Sequence, residues 1–186
     1  MSPIQFLDTR TTLLVDLVIA ASIGAVCFGF AKGLGRNRTI ETWGVGTLLI
    51  ALGLAITALR GANPGFVGIL GANTAFFASA VCIYRAVRIQ RGVDDGDPTG
   101  WGIVAAGVLL FAWLYGTTAS AQTRIVAYSA IHGLLIARAA AAIGPAIGSA
   151  RTRAHLFTAA TLWLTVAAMV LRAVATVLRD LVRPSD

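Results

Sequence analysis

Apolar residues occur along the chain in six long blocks that short polar segments separate. The blocks cover residues 13–34, 43–59, 66–87, 101–117, 125–143 and 156–178. A helix needs about 20 predominantly apolar residues to cross a membrane, and each block is close to that length. The segments between them are rich in glycine, proline, asparagine and charge, which is typical of turns. The pattern predicts a single transmembrane domain over residues 1–186, an all-α bundle of six antiparallel membrane-spanning helices.

The composition supports a membrane protein and excludes a soluble one. Apolar residues make up 57% of the chain and charged residues only 12%, whereas a soluble domain carries about a quarter charged residues. The formal net charge of +7 is therefore attributed to arginine-rich loops at the membrane surface, where they contact membrane lipids. We predict no nucleic-acid partner. Cys27 and Cys82 lie within apolar blocks and are interpreted as small hydrophobic residues.

The basic residues predict the orientation of the bundle. The loops after the first, third and fifth blocks carry nine lysines and arginines, against six on the opposite side. Cytoplasmic loops are enriched in these residues. The odd-numbered loops are therefore predicted inside, and both termini are predicted on the extracytoplasmic side.

Polar residues within the apolar blocks indicate a candidate ligand site. Ionisable groups at membrane depth are costly and often functional, and here several lie toward the predicted outer side. Two arginines against one aspartate leave unbalanced positive charge, which favours a small anion or a lipid-like acid. The predicted ligand-binding residues are Asp16, Arg60, Asn73, Tyr128, His132 and Arg172.

The same residues also have a structural interpretation. Arg60 and Arg172 would extend to the lipid head groups, with Asp16 paired to one of them, and Asn73 would hydrogen-bond between helices. A stripe at helical spacing in the sixth block is predicted to face the bundle interior in either case. It comprises Thr158, Thr161, Thr165, Met169, Arg172 and Thr176.

No cofactor or metal is predicted. His132 and His155 lie at different depths, so they do not suit a shared haem, and acids and thiols do not cluster. Ser129 and His132 lie three residues apart on one helix, which leaves no group to orient the histidine as a base. We therefore predict that the chain is not an enzyme.

The second and third blocks carry the most specific pattern in the chain. It comprises Trp43-Gly44-Val45-Gly46, Ala51-Leu52-Gly53-Leu54, Leu59-Arg60-Gly61-Ala62-Asn63-Pro64, Ala72-Asn73 and Tyr84-Arg85-Ala86-Val87-Arg88-Ile89-Gln90-Arg91-Gly92. This pattern resembles the multi-pass membrane input region of bacterial diguanylate cyclases that end in a GGDEF domain. The resemblance is close over residues 43–92 and loose over 13–180.

The resemblance implies a multi-pass sensor of the bacterial inner membrane, with an external N-terminus and a cytoplasmic GGDEF output domain or a second copy as partner. Input regions of that kind have seven spans, but no seventh apolar block and no Gly-Gly-Asp-Glu-Phe signature occur in this sequence. We therefore expect no cyclase activity from this chain itself. Two other functions stay open from the residues alone: a small membrane carrier or channel, and a structural membrane subunit without a ligand.

Overall fold

The computed structural model describes residues 9–33, 35, 37–59, 65–93, 96–117, 119–143 and 153–182. These residues form six α-helices and no strand. All six helices are long and apolar enough to cross a membrane, as the sequence predicts, so the chain has the features of a multi-pass membrane protein. The helices are α1 (Thr9–Gly33), α2 (Arg38–Leu59), α3 (Phe66–Gln90), α4 (Pro98–Gly116), α5 (Ala121–Ile143) and α6 (Arg153–Val182).

Local capping residues set where several helices begin. Asn37 Oδ1 accepts hydrogen bonds from the backbone amides of Thr39 and Ile40 at 3.0 and 3.3 Å. Ser120 Oγ accepts one from the amide of Thr123 at 3.1 Å. Such caps satisfy amides that have no partner within the helix. As a result, α2 begins at Arg38, ahead of the predicted apolar block 43–59, because a cap fixes the first turn whatever its hydropathy.

The helices pack in an order that leaves the bundle open on one side. α1 packs on α2, α2 on α3, α3 on α4 and α5, and α5 on α4 and α6. Of the spanning window of α3, 56% is buried, against 11% for α1 and 6% for α6. α3 is therefore the central helix. No packing joins α2 or α1 to α6 in the described part of the chain.

Because successive helices reverse direction, the bundle has two distinct ends. We call the end with the α2–α3 and α4–α5 connections, where α1 begins and α6 ends, the even-loop end. The other end, with the connections after α1, α3 and α5, is the odd-loop end. The odd-loop end therefore has the loops that are rich in basic residues.

Small residues allow α1, α2 and α3 to approach closely. A Cβ added to Gly24 on α1 would lie 2.7 Å from the side chain of Leu48 on α2. A Cβ on Gly46 would lie 3.2 Å from Cys82 Cβ and 3.3 Å from the Ser79 carbonyl oxygen on α3. Glycine at these positions therefore allows the backbones of neighbouring helices to approach closely, as small residues commonly do in membrane bundles.

The core lies where α3 meets α4 and α5. Phe77 of α3 is fully buried and contacts Phe111 of α4 and Tyr128 of α5, with ring centroids 6.0 and 5.6 Å away. His132 continues the series, since its ring stacks on Tyr128 at 5.3 Å. This run of four rings, which we call the aromatic column, connects three helices at mid-depth.

A partly buried ion pair joins α4 and α5 at the odd-loop end. Asp97, the residue before α4, accepts a hydrogen bond from Arg138 Nη2 of α5 at 2.8 Å and one from the Gly100 amide at 2.9 Å. The side chain of Asp97 is 2% exposed and that of Arg138 is 22% exposed. The Arg138 guanidinium also lies 4.5 Å from the ring centroid of Tyr84 on α3. One carboxylate therefore caps a helix and binds an arginine 41 residues away.

Other arginines at the odd-loop end also bind within the protein. Arg88 donates to the Gly96 carbonyl oxygen at 2.9 Å, and Arg91 donates to the carbonyl oxygen of Ala142. The basic residues counted for the orientation thus also connect α3 to the following loop and to α5.

Candidate functional site

A cleft of about 460 Å³ opens at the even-loop end, and all six helices contribute to its lining. Its volume falls in the range of small-molecule sites, roughly 300–1,000 Å³. We call it the arginine cleft. Its lining comprises Leu13, Leu54, Thr57, Ile69, Ala72, Asn73, Phe76, Phe111, Ala121, Arg124, Ile125, Tyr128 and Arg172.

Two arginines give the cleft its charge. Among the described lining residues, Arg124 of α5 and Arg172 of α6 are the charged ones, and none of those residues is a carboxylate. Neither guanidinium forms a salt bridge with another described residue. Each instead lies over a tyrosine ring, Arg172 at 5.7 Å from the centroid of Tyr128 and Arg124 at 6.0 Å from that of Tyr115. A cation–π contact leaves N–H donors available, so the cleft can bind an anion.

The local sequence explains why these groups converge. Arg124 and Tyr128 are four residues apart on α5 and therefore share a helix face. Asn73 lies on α3, where small neighbours such as Ala72 keep the backbones close. Its amide can donate and accept at once. The cleft thus combines two guanidiniums with neutral hydrogen-bonding side chains, among them Asn73 and Tyr128.

A second cavity of about 490 Å³ lies beside the first, deeper in the bundle. Its walls come from α2 and α6, which do not pack on each other, and its floor from α3 and α5. We call it the lateral groove. Phe76 and Tyr128 line both cavities, so they adjoin. The groove is lined by Trp43, Ile50, Phe76, Ser79, Ile83, Tyr128, His132, Ile136, Phe157, Thr158, Thr161, Leu162 and Thr165.

Hydroxyl groups in the groove are bound mostly to their own helices. Thr161 donates to the Phe157 carbonyl oxygen and Thr165 to that of Thr161, each at 2.9 Å, and Ser79 donates to Phe76 at 2.7 Å. Threonine and serine in apolar helices commonly satisfy their donors this way. The groove therefore presents a largely apolar surface despite its hydroxyl-bearing residues.

Two buried polar atoms have no partner within the described residues. They are Ser129 Oγ and His132 Nδ1, one turn apart on α5. His132 is 9% exposed and lines the groove, and its ring contacts both Tyr128 and Phe77, with centroids 5.3 and 6.4 Å away. An unpaired buried polar atom costs stability. Of the two residues, His132 is the one that lines the groove, where a ligand could supply the missing hydrogen bond.

We expect Ser129→Ala to stabilise the protein by about 1 kcal/mol, because it removes a buried hydroxyl with no described partner. The apparent melting temperature in detergent should rise by about 3 °C. Ser79→Ala is the matched control, since that equally buried hydroxyl donates to Phe76, and it should give no rise. If Ser129→Ala is less stable than the parent, the Ser129 hydroxyl has a partner after all.

The structure brings half of the six predicted site residues into one cavity. Asn73, Tyr128 and Arg172 line the arginine cleft, and His132 lines the adjoining groove. Asp16 is exposed on α1 and lines neither cavity. Arg60 lies outside the described residues. The stripe on α6 faces the bundle as predicted, because Thr158, Thr161, Thr165 and Arg172 line the two cavities.

Arg124 is not among the predicted ligand-binding residues, although its spacing in the sequence indicates the same helix face. Arg124 precedes Tyr128 by four residues, so the helical periodicity that selected Tyr128 and His132 also selects Arg124.

Comparison with known protein families, with curated proteins and with solved structures finds no match for this chain.

Proposed function

We propose that this protein is a membrane signal-input module that binds a small anionic or lipid-like ligand in the arginine cleft. The observation that carries the proposal is the presence of both Arg124 and Arg172 in the cleft, with no carboxylate among its described lining residues. Two guanidiniums without a counter-charge among these residues favour the binding of an anion. The proposed location is the bacterial inner membrane, with the cleft and both termini on the extracytoplasmic side.

The position of the cleft supports a signalling role. Arg124 lies on α5, Arg172 on α6 and Asn73 on the central helix α3. An anion bound by all three would favour one relative position of these helices over another. The proposed readout is a GGDEF output domain on the cytoplasmic side or a second copy of the chain, as in the input regions that this sequence resembles.

A small carrier is the second candidate, and the adjoining cavities favour it. The arginine cleft opens at the even-loop end, and the lateral groove extends from it past Tyr128 to Trp43 near the odd-loop end. Together they extend over much of the depth of the bundle, with Phe76 and Tyr128 at their boundary. Reconstituted liposomes distinguish the two functions, because a carrier moves a labelled anion across the bilayer and an input module only binds it.

Replacing either cleft arginine by glutamine should abolish the capture of an anionic small molecule during purification. Glutamine keeps a long polar side chain but removes the charge that an anion needs. Native mass spectrometry of the detergent-purified chain is the measurement. We expect a bound species in the parent and its loss, about tenfold or more, in Arg124→Gln and in Arg172→Gln.

Arg179→Gln is the matched control, since Arg179 is also an exposed arginine of α6 but lines neither cavity. It should retain the bound species. Equal occupancy in the parent and in both cleft variants would overturn the proposal, and so would loss of the species in Arg179→Gln alone.

A further inference from the structure

We infer that the ligand is a single-chain amphiphile, with an anionic head group in the arginine cleft and an alkyl chain in the lateral groove. This inference rests on the proposed function, because it assigns the head group to the same two arginines. It adds the chemical class of the ligand and a second binding surface.

The arginine cleft and the lateral groove adjoin and differ in character. Phe76 and Tyr128 form the boundary. The positively charged arginines lie on one side of it. The other side has apolar residues and hydroxyls that already donate to their own helices. Only a molecule with a charged end and an apolar end matches both surfaces.

The two cavities together are long enough for an alkyl chain. From Phe157 in the groove to Arg172 in the cleft, the axis of α6 rises about 22 Å at roughly 1.5 Å per residue. One leaflet contributes about half of the roughly 30 Å hydrocarbon core. The combined cavity is therefore long enough for the full chain of a membrane amphiphile.

The lateral groove is also accessible from the membrane. α2 and α6 form the groove walls without packing on each other, so the groove opens sideways, toward the region that lipid occupies. Large apolar side chains such as Phe157 and Trp163 are exposed on α6, which is expected for a lipid-facing helix. An alkyl chain can thus enter from the membrane while its head group stays at the even-loop end.

The test uses octanoate and palmitate as probes on the full chain in nanodiscs, with Thr161→Trp to obstruct the groove. Thr161 lines the groove and is exposed enough to accept a larger side chain. We expect palmitate affinity to fall about tenfold, since the chain loses its contacts, and octanoate affinity to stay within about twofold. Ala167→Trp on the lipid-facing side of α6 is the control and should change neither.

The outcomes separate this inference from the proposed function. If Arg172→Gln weakens both probes but Thr161→Trp leaves palmitate unchanged, the chain lies elsewhere and only the inference fails. If Arg172→Gln and Arg124→Gln weaken neither probe, both proposals fail. Should Thr161→Trp not fold, Ile50→Phe on the opposite wall gives the same comparison.

Discussion

Asp97→Ala is expected to lower the free energy of unfolding by about 3 kcal/mol. The substitution removes the partner of Arg138 and the cap of α4 in one step, since one carboxylate accepts from both at 2.8 and 2.9 Å. Removing Asp97 leaves the partly exposed Arg138 guanidinium without its carboxylate, and losing an N-cap costs about a further 1 kcal/mol. Unfolding of the detergent-purified chain by added denaturing detergent, followed by circular dichroism, measures the change.

Two variants make that result interpretable. Asp97→Asn keeps a capping oxygen for the Gly100 amide but removes the charge, so it should give a smaller loss that reports on the ion pair. Asp16→Asn is the control, because Asp16 is exposed and forms no salt bridge with another described residue. It should cause no loss. An Asp97→Ala protein as stable as the parent would show that the pair contributes nothing net.

Gly100→Ala is expected to destabilise the protein by about 2–3 kcal/mol, although alanine is normally the better helix former. A Cβ at this position would lie 2.0 Å from Asp97 Oδ2 and 2.9 Å from Arg138 Nη1. The carboxylate would have to leave its place, which breaks both of its hydrogen bonds. The same unfolding measurement reports the loss.

Gly102→Ala provides a control of opposite sign. It lies two residues further along α4, and nothing is found within 4 Å of its added Cβ. Alanine there should stabilise the protein by about 0.5–1 kcal/mol through helix propensity. The double variant Asp97→Ala with Gly100→Ala should lose much less than the sum of the single losses. Additive losses would mean that the clash at Gly100 does not act through Asp97.

Hydropathy alone was sufficient to predict the six helices, because a membrane span must be a continuous apolar helix. It predicted their ends less well. α6 extends over Arg153–Val182, beyond the apolar block 156–178, since a helix continues into the interfacial region until a turn or cap stops it.

The sequence predicts which residues share a face of one helix, but it does not predict which helices meet at the candidate site. Tyr128 and Arg172 each belong to a face that periodicity reveals, and the structure places both in one cleft. The position of Asp16 depends on α1 packing on α2 alone, and no pattern within α1 contains that information. The Asp97–Arg138 pair was missed for a similar reason. Its members are 41 residues apart and meet only because α5 packs beside α3 and α4.

The packing order has a consequence for how the chain assembles as it is synthesised. α2 packs on α1 and α3 packs on α2, so these three helices can associate as soon as they emerge. α5 instead packs on both α3 and α4, and it carries Arg138. Asp97 therefore has no Arg138 to pair with until α5 is inserted. Between the insertion of α4 and that of α5, the growing protein therefore has neither the Asp97–Arg138 ion pair nor the packing of α5 on α3.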